Sequence, residues 1–301
     1  MLAQALDHYL SVRRAAGFKL KSTEQYLRYF VRFAHARGDT HVRATTAIEW
    51  AAQAGREAER QRRYQCVCRF ARFMQVEQPR HEIPPESVFC GYSPRPSPYI
   101  FTDEELRRLL QAAAQLGPSG SLRPRTYTTL FTLLAVTGLR PAEAYALCRH
   151  DLTHDGLVIR ETKFGKSRLV PIHSSTRAAL ERYLEHRHNL AVDNDHVFVT
   201  LAQRPLSACT VSRTFRQLLR TAGLPHRPGR PRVHDLRHRF ATLALEACSA
   251  DRSHVGRHML ALTTYLGHGR IASTYWYLET TPQLMTDIAT RSEQFVWGET
   301  S

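Results

Sequence analysis

Thr137-Gly138-Leu139-Arg140-Pro141-Ala142-Glu143 breaks the chain between two helical runs and restarts it. The run before it, Tyr127 to Val136, has the length and apolar content of a helix. Gly138 permits the turn that ends this run. Pro141, which fixes φ and has no N–H to lose, suits the first position of the next helix. Arg140 therefore stands at the entrance to a helix, a place suited to an anion.

Working outward from that break, Thr102 and Glu105 form a capping-box pattern ahead of Leu106, Leu109, Leu110 and Ala113. Downstream, Asp155-Gly156 signals a turn before Leu157–Arg160, and Gly165 interrupts the run before Arg168–Ile172. These segments predict a small antiparallel sheet, with Lys163 and Lys166 near its turn. Helices follow at Ser175–His186, Val211–Ala222, Asp235–Ala247 and near Pro282–Phe295, with a proline- and arginine-rich loop at Pro225–Arg232. Residues 1–78 read as a helical bundle. Leu2, Leu6, Tyr9 and Leu10 mark a first helix that stops near Gly17, and Ser22 with Gln25 predicts a capped start to the second. Further helices are expected around Ala47–Ala54 and Glu57–Val76. Between the two parts, residues 79–98 hold six prolines and no helical period, the pattern of a semi-extended linker. The expected fold is mainly α with a small antiparallel β-sheet (α+β): a helical domain over 1–78, a linker over 79–98 and a second domain over 99–301.

The composition, 43% hydrophobic and 23% charged over 301 residues, is ordinary for a folded protein, but the net charge of +15 is not. Such a charge opposes compaction unless it meets a polyanion, either nucleic acid or an anionic membrane surface. No apolar stretch approaches the roughly 20 residues that span a bilayer, and residues 1–16 lack a basic start followed by an apolar run. A cytoplasmic, nucleoid-associated protein is therefore expected, with no membrane partner and reduced cysteines. Only four lysines stand against 38 arginines. Abundant arginine then says little about phosphate binding, whereas two lysines in one short segment, Lys163 and Lys166, are informative. On the fourth helix Arg60, Arg62, Arg63, Arg69 and Arg72 form either a solvated face or a phosphate-tracking one.

Two further segments carry chemistry: His234-Asp-Leu-Arg237-His-Arg-Phe-Ala-Thr242, and Leu266-Gly-His268 followed nine residues on by Tyr277. His234 and Arg237 lie three apart at a helix start, so both can face one point. Two guanidinium forks can each pair with phosphate oxygens and neutralise charge as a pentacoordinate state forms. A histidine can move a proton, and a deprotonated tyrosine is a competent oxygen nucleophile. His234/His238 and His254/His258 have the i, i+4 spacing of a zinc pair. No Glu follows the first histidine of either pair and no third ligand completes one, so no metal is expected. No glycine-rich phosphate loop appears, and no cofactor is expected.

This ordered pattern resembles the tyrosine recombinase (phage integrase) family over nearly the whole chain. The resemblance implies a helical DNA core-binding domain followed by a catalytic domain, acting on double-stranded DNA as a tetramer on paired sites. It gives the phosphate-binding set as Arg140, His234, Arg237 and His268, with Tyr277 the nucleophile and Glu143 a supporting carboxylate. Glu161-Thr-Lys163-Phe-Gly-Lys166-Ser-Arg-Leu-Val-Pro171 is similar to the family's β-hairpin, which makes Lys163 the acid for the leaving 5′-oxygen, with Lys166 the alternative. Lysine suits that task because its pKa can be shifted into a donating range and that of arginine cannot. Tyr275 is the rival nucleophile. The implied activity is site-specific cleavage and rejoining of DNA for integration or transposition of a mobile element. The alternatives are a DNA-binding accessory factor without catalysis and a type IB topoisomerase-like enzyme. One departure stands out: 30 residues separate Arg237 from His268, more than is common in the family. The polar Ser249–His258 stretch is expected to be a longer loop.

Overall fold

Apolar residues at helical spacing build four helices in the first part of the chain: α1 (Leu2–Ala15), α2 (Lys21–Ala36), α3 (Ala44–Ala52) and α4 (Glu57–Glu77). Their buried faces meet in one core that includes Leu6, Leu10, Leu27, Phe30, Ala47 and Phe70, each at most 1% exposed. Tyr9 packs edge-on against Phe70, and Phe30 against Trp50, at ring separations of 5.4 and 5.5 Å. The structure, a computed structural model, describes residues 2–89, 97–160, 167–190, 192–225, 231–247 and 252–267, and no side chains over 252–255.

Two local expectations change here. The helix α2 is not capped by Ser22. Its N-cap is Leu20, which adopts a left-handed conformation (φ 45°) and makes no side-chain cap. The chain reverses tightly after Gly17, so the first helical residue is already Lys21 and Ser22 falls inside the first turn. The proline-rich stretch is also held to the bundle over its first part. The nearly buried His81 accepts a hydrogen bond from the Val42 N–H at 3.1 Å, and the Tyr64 hydroxyl donates to the Pro85 carbonyl at 2.7 Å. Phe89 packs on Tyr64 at 5.1 Å. Prolines remove helical order from this segment, but its few apolar and aromatic side chains still find the bundle surface.

The chain divides into two units, Met1–Arg95 and Pro96–Ser301. In the second, α5 (Asp103–Ala114) opens with the capping box foreseen from Thr102 and Glu105. The Glu105 N–H donates to Thr102 Oγ1 at 3.2 Å, and the Thr102 N–H to Glu105 Oε2 at 2.9 Å. Helix α6 (Arg123–Thr137) runs through the core, with Leu130, Phe131 and Leu134 wholly buried, and is followed by the short α7 (Pro141–Ala146). Strands β1 (Leu152–Thr153), β2 (Gly156–Ile159) and β3 (Arg168–Val170) form an antiparallel sheet in that order, with Leu157 opposite Val170 and Ile159 opposite Arg168. Helices α8 (Ser174–Asn189), α9 (Ala208–Thr221), α10 (Asp235–Glu246) and α11 (Arg252–Leu266) complete the described residues. The fold is mainly α with one small antiparallel sheet, as the sequence predicts.

Helix α11 overturns the reading of Ser249–His258 as a loop. From Arg252 onward this stretch is helical. Met259, Leu262 and Leu266 pack against Ala241 and Leu245 of α10, forming a small cluster of their own. The polar first half of α11 hides a helix whose apolar stripe begins only at Met259. Among the described residues no helix is long and apolar enough to cross a membrane.

Candidate active site

Gly138 ends α6 in the left-handed conformation (φ 59°), and a Cβ there would lie 2.4 Å from the Phe240 ring of α10. A glycine is required on both counts. The turn it makes delivers Arg140 to the N-cap of α7. That helix end does not stand open for an anion. The Arg140 N–H donates at 2.9 Å to Glu143 Oε2, so the helix start is closed by its own carboxylate. The Arg140 side chain itself is partly exposed, at 29%.

Glu143 is the hub. Its Oε1 accepts from Arg140 Nη1 at 2.7 Å and from Arg168 Nη1 at 2.9 Å, and its Oε2 accepts from Arg168 Nη2 at 2.8 Å. Burial works against a charged carboxylate here. The hydrogen bonds and charge of Arg168, and then of Arg140, overcome it and hold Glu143 down at about 2. The carboxylate is therefore ionised near neutral pH.

A third arginine comes from α10. Arg237 is 1% exposed, and its Nη1 donates to the Gly138 carbonyl at 2.6 Å while Nη2 donates to the Leu266 carbonyl at 2.8 Å. The three sequence segments singled out by their motifs are thus tied together by one side chain. The end of α11 receives the other two arginines as well. Arg168 Nε donates to the Tyr265 carbonyl at 3.0 Å, and Arg140 Nη2 to the Gly267 carbonyl at 2.6 Å. Three consecutive carbonyls, of residues 265, 266 and 267, each accept from a different guanidinium. Gly267, in the left-handed conformation (φ 66°), has no room for a Cβ, which would lie 2.9 Å from the Arg168 guanidinium.

His234 is the N-cap of α10, half-buried, with its ring 4.7 Å from that of His238. Of the i, i+4 pairs, His238 is buried beside Asp235 and His258 pairs with the Ala244 carbonyl at 2.7 Å, while the His254 side chain lies outside the described residues. Among the described residues one group of possible metal donors does lie together, Cys148, His150 and Asp195, within 4.8 Å of one another. It was not foreseen from sequence. Its Asp195 already pairs with His150 at 3.0 Å and with Arg149 at 3.6 Å.

Of the predicted site residues, the structure brings Arg140 and Arg237 to the same turn and places His234 one helical turn before Arg237. Lys163, Lys166, His268, Tyr275 and Tyr277 lie outside the described residues, as does the helix expected near 282–295. Residue 268 follows directly on the Gly267 that Arg140 grips, and Lys166 precedes Arg168 by two positions. Arg168 itself was missed as a site residue. In sequence it is one arginine among 38, at the start of a short strand.

A largely helical domain with a small sheet, and arginines from three segments meeting on the carbonyls of Tyr265, Leu266 and Gly267, define a class. The phage integrase family model matches residues 100–283, and the chain belongs to that family, the tyrosine recombinases, enzymes that cleave and rejoin DNA strands. At the level of individual proteins, the chain is 38% identical over 303 residues to the integrase/recombinase y4rB of Sinorhizobium fredii, covering 97% of this chain and 96% of that one. Two solved structures share the fold. The integrase of transposon Tn1549, in complex with transposon right end DNA, superposes with a TM-score of 0.66 at 16% identity and covers 99% of both chains. A lambda integrase tetramer bound to a Holliday junction gives 0.63 at 19%, covering 92% of this chain and 76% of that one.

Proposed function

We propose that this protein is a site-specific recombinase that integrates or transposes a mobile element, cutting and rejoining duplex DNA through Tyr277. The observation that carries the reading is the meeting of Arg140 and Arg237 at the turn that leads into His268. Four cationic or hydrogen-bonding side chains, Arg140, His234, Arg237 and His268, would surround one phosphate and neutralise charge on its oxygens as five-coordinate phosphorus forms. The Tyr277 oxygen attacks phosphorus, its proton passing to a histidine, His234 or His268. The P–O5′ bond breaks, and the leaving oxygen takes a proton from Lys163. The 3′-phosphotyrosyl link conserves the phosphodiester energy, and the 5′-hydroxyl of a partner strand reverses the step. Neither a metal nor a nucleotide is required.

Residues 1–78 would serve as the DNA core-binding domain and 99–301 as the catalytic domain. The net charge of +15 supports duplex DNA as the partner and predicts binding that weakens steeply with salt. The protein would act as an oligomer on DNA, a tetramer across two paired sites. A lysine rescue experiment tests the chemistry. In a nicked suicide duplex built on a sequence that the protein selects from a random pool, Lys163→Ala should lose cleavage. A 5′-bridging phosphorothiolate, whose leaving group needs no proton, should restore it. Restoration in Lys166→Ala alone would move the acid to Lys166, and restoration in neither would remove lysine acid catalysis.

A further inference from the structure

We infer that Arg168 is a positioning residue of the phosphate-binding machinery, setting the orientation of Arg140 through Glu143 and fixing the turn that leads into His268. The inference rests on the reading of Arg140 as a phosphate ligand. A carboxylate has about four lone-pair directions, and in Glu143 four donors occupy them: two from the Arg168 fork, one from the Arg140 guanidinium and one from the Arg140 backbone. So occupied, the carboxylate cannot rotate, and the Arg140 side chain bonded to it has one direction left in which to point.

The second grip of Arg168 is on the chain itself. Its Nε holds the Tyr265 carbonyl, one residue before the acceptor of Arg237 and two before that of Arg140. Its guanidinium also lies where a side chain at position 267 would be, so the glycine of Leu-Gly-His is required by Arg168 as well as by its own φ. Nε, Nη1 and Nη2 of Arg168 are all engaged, by the Tyr265 carbonyl and the two Glu143 oxygens. A lysine cannot substitute. A compact ammonium offers no planar fork to grip both carboxylate oxygens while a third N–H reaches a carbonyl 3.0 Å away.

A plain stabilising ion pair would look the same in a melting curve, so the test must read orientation. Single-turnover adduct formation is measured at saturating concentrations of the same nicked suicide duplex, together with duplex affinity and thermal melting. Wild type, Arg168→Lys, Arg140→Lys and the double variant are compared. Arg168→Lys should bind the duplex within about threefold of wild type yet form adduct about 100-fold more slowly, the scale of a misplacement near 1 Å. In the Arg140→Lys background the same change should cost less than about threefold, because the group that Arg168 orients is already compromised. If Arg168→Lys melts early but the folded protein cleaves at the wild-type rate, or if the two losses multiply in full, the positioning role is overturned. Should Arg168→Lys not fold, Glu143→Gln, which keeps the shape of the hub while weakening both guanidinium grips, must show the same rate loss and the same non-additivity. If Arg140→Lys leaves cleavage untouched, the proposed phosphate site fails, and that outcome is distinct from a failure of Arg168.

Discussion

The arginines of α4 and the arginines around Glu143 are the same side chain put to opposite uses. On α4, Arg62 reaches Glu59 at 3.4 Å with 63% and 29% of the two side chains exposed. In the second unit, Arg168 meets Glu143 at 2.8 Å with 13% and 8% exposed. An exposed pair is screened by water and salt and contributes about 0–1 kcal/mol. A buried one contributes little net stability, but removing either partner leaves the other charge or carbonyl without solvent or partner. The first unit therefore owes its stability to apolar packing, and its arginines sit largely in solvent-screened surface pairs such as Arg28 with Glu24 and Arg62 with Glu59. Around Glu143 the second unit uses its arginines internally, on geometry. The lesson is that net charge says where a polyanion could bind, while burial says where its phosphate would be handled.

The largest effect should come from Arg237→Ala, which strips the donors from the Gly138 and Leu266 carbonyls and leaves a void. About 3–5 kcal/mol of unfolding free energy should be lost by denaturant titration, with cleavage abolished. A loss below about 1 kcal/mol would contradict the tie between α6, α10 and α11. Next is pH. Glu143 is held at about 2, below the ordinary 4.5. Its contribution is thus present in full above about pH 5 and is lost as pH falls through 2. As the difference between the ionised and the protonated carboxyl, not the net worth of the pair, it amounts to roughly 3 kcal/mol, an order-of-magnitude figure. The stability gap between wild type and Glu143→Gln should therefore narrow across that window, and a constant gap would show that the carboxylate charge is not what matters. Thr102→Ala removes one half of the α5 capping box and should cost about 1 kcal/mol, read as a small drop in melting temperature. Smallest is Arg62→Ala, about 0.5 kcal/mol or less. If α4 tracks phosphates, that variant should still lower the salt slope of duplex binding by about one; an unchanged slope would leave α4 a solvated face.

Much of the fold was readable because apolar spacing is dense where helices pack, as in α1, α4, α6 and α9. Capping patterns were less reliable. Thr102/Glu105 and Ser22/Gln25 have the same form, but only the first coincides with the point where the chain enters its helix; a left-handed Leu20 starts α2 earlier. Helix α11 was hidden because its first half is polar and its burying stripe short. In the site, Arg140 and Arg237 were legible from local spacing and the flanking Gly138 and Pro141, and Glu143 from the family resemblance alone. Arg168 was not, because its importance lies in partners 25 and 97 positions away in the chain, and no short pattern encodes such contacts.

The central claim is that the cluster around Gly267 presents a phosphate to Tyr277. Trapping wild-type protein on the nicked suicide duplex, digesting with protease and sequencing the nucleotide-bearing peptide by mass spectrometry tests it most directly. The account predicts a 3′-phosphotyrosyl bond at Tyr277, absent in Tyr277→Phe, which should still bind the duplex. Attachment at Tyr275, or an adduct that persists in Tyr277→Phe, would contradict it.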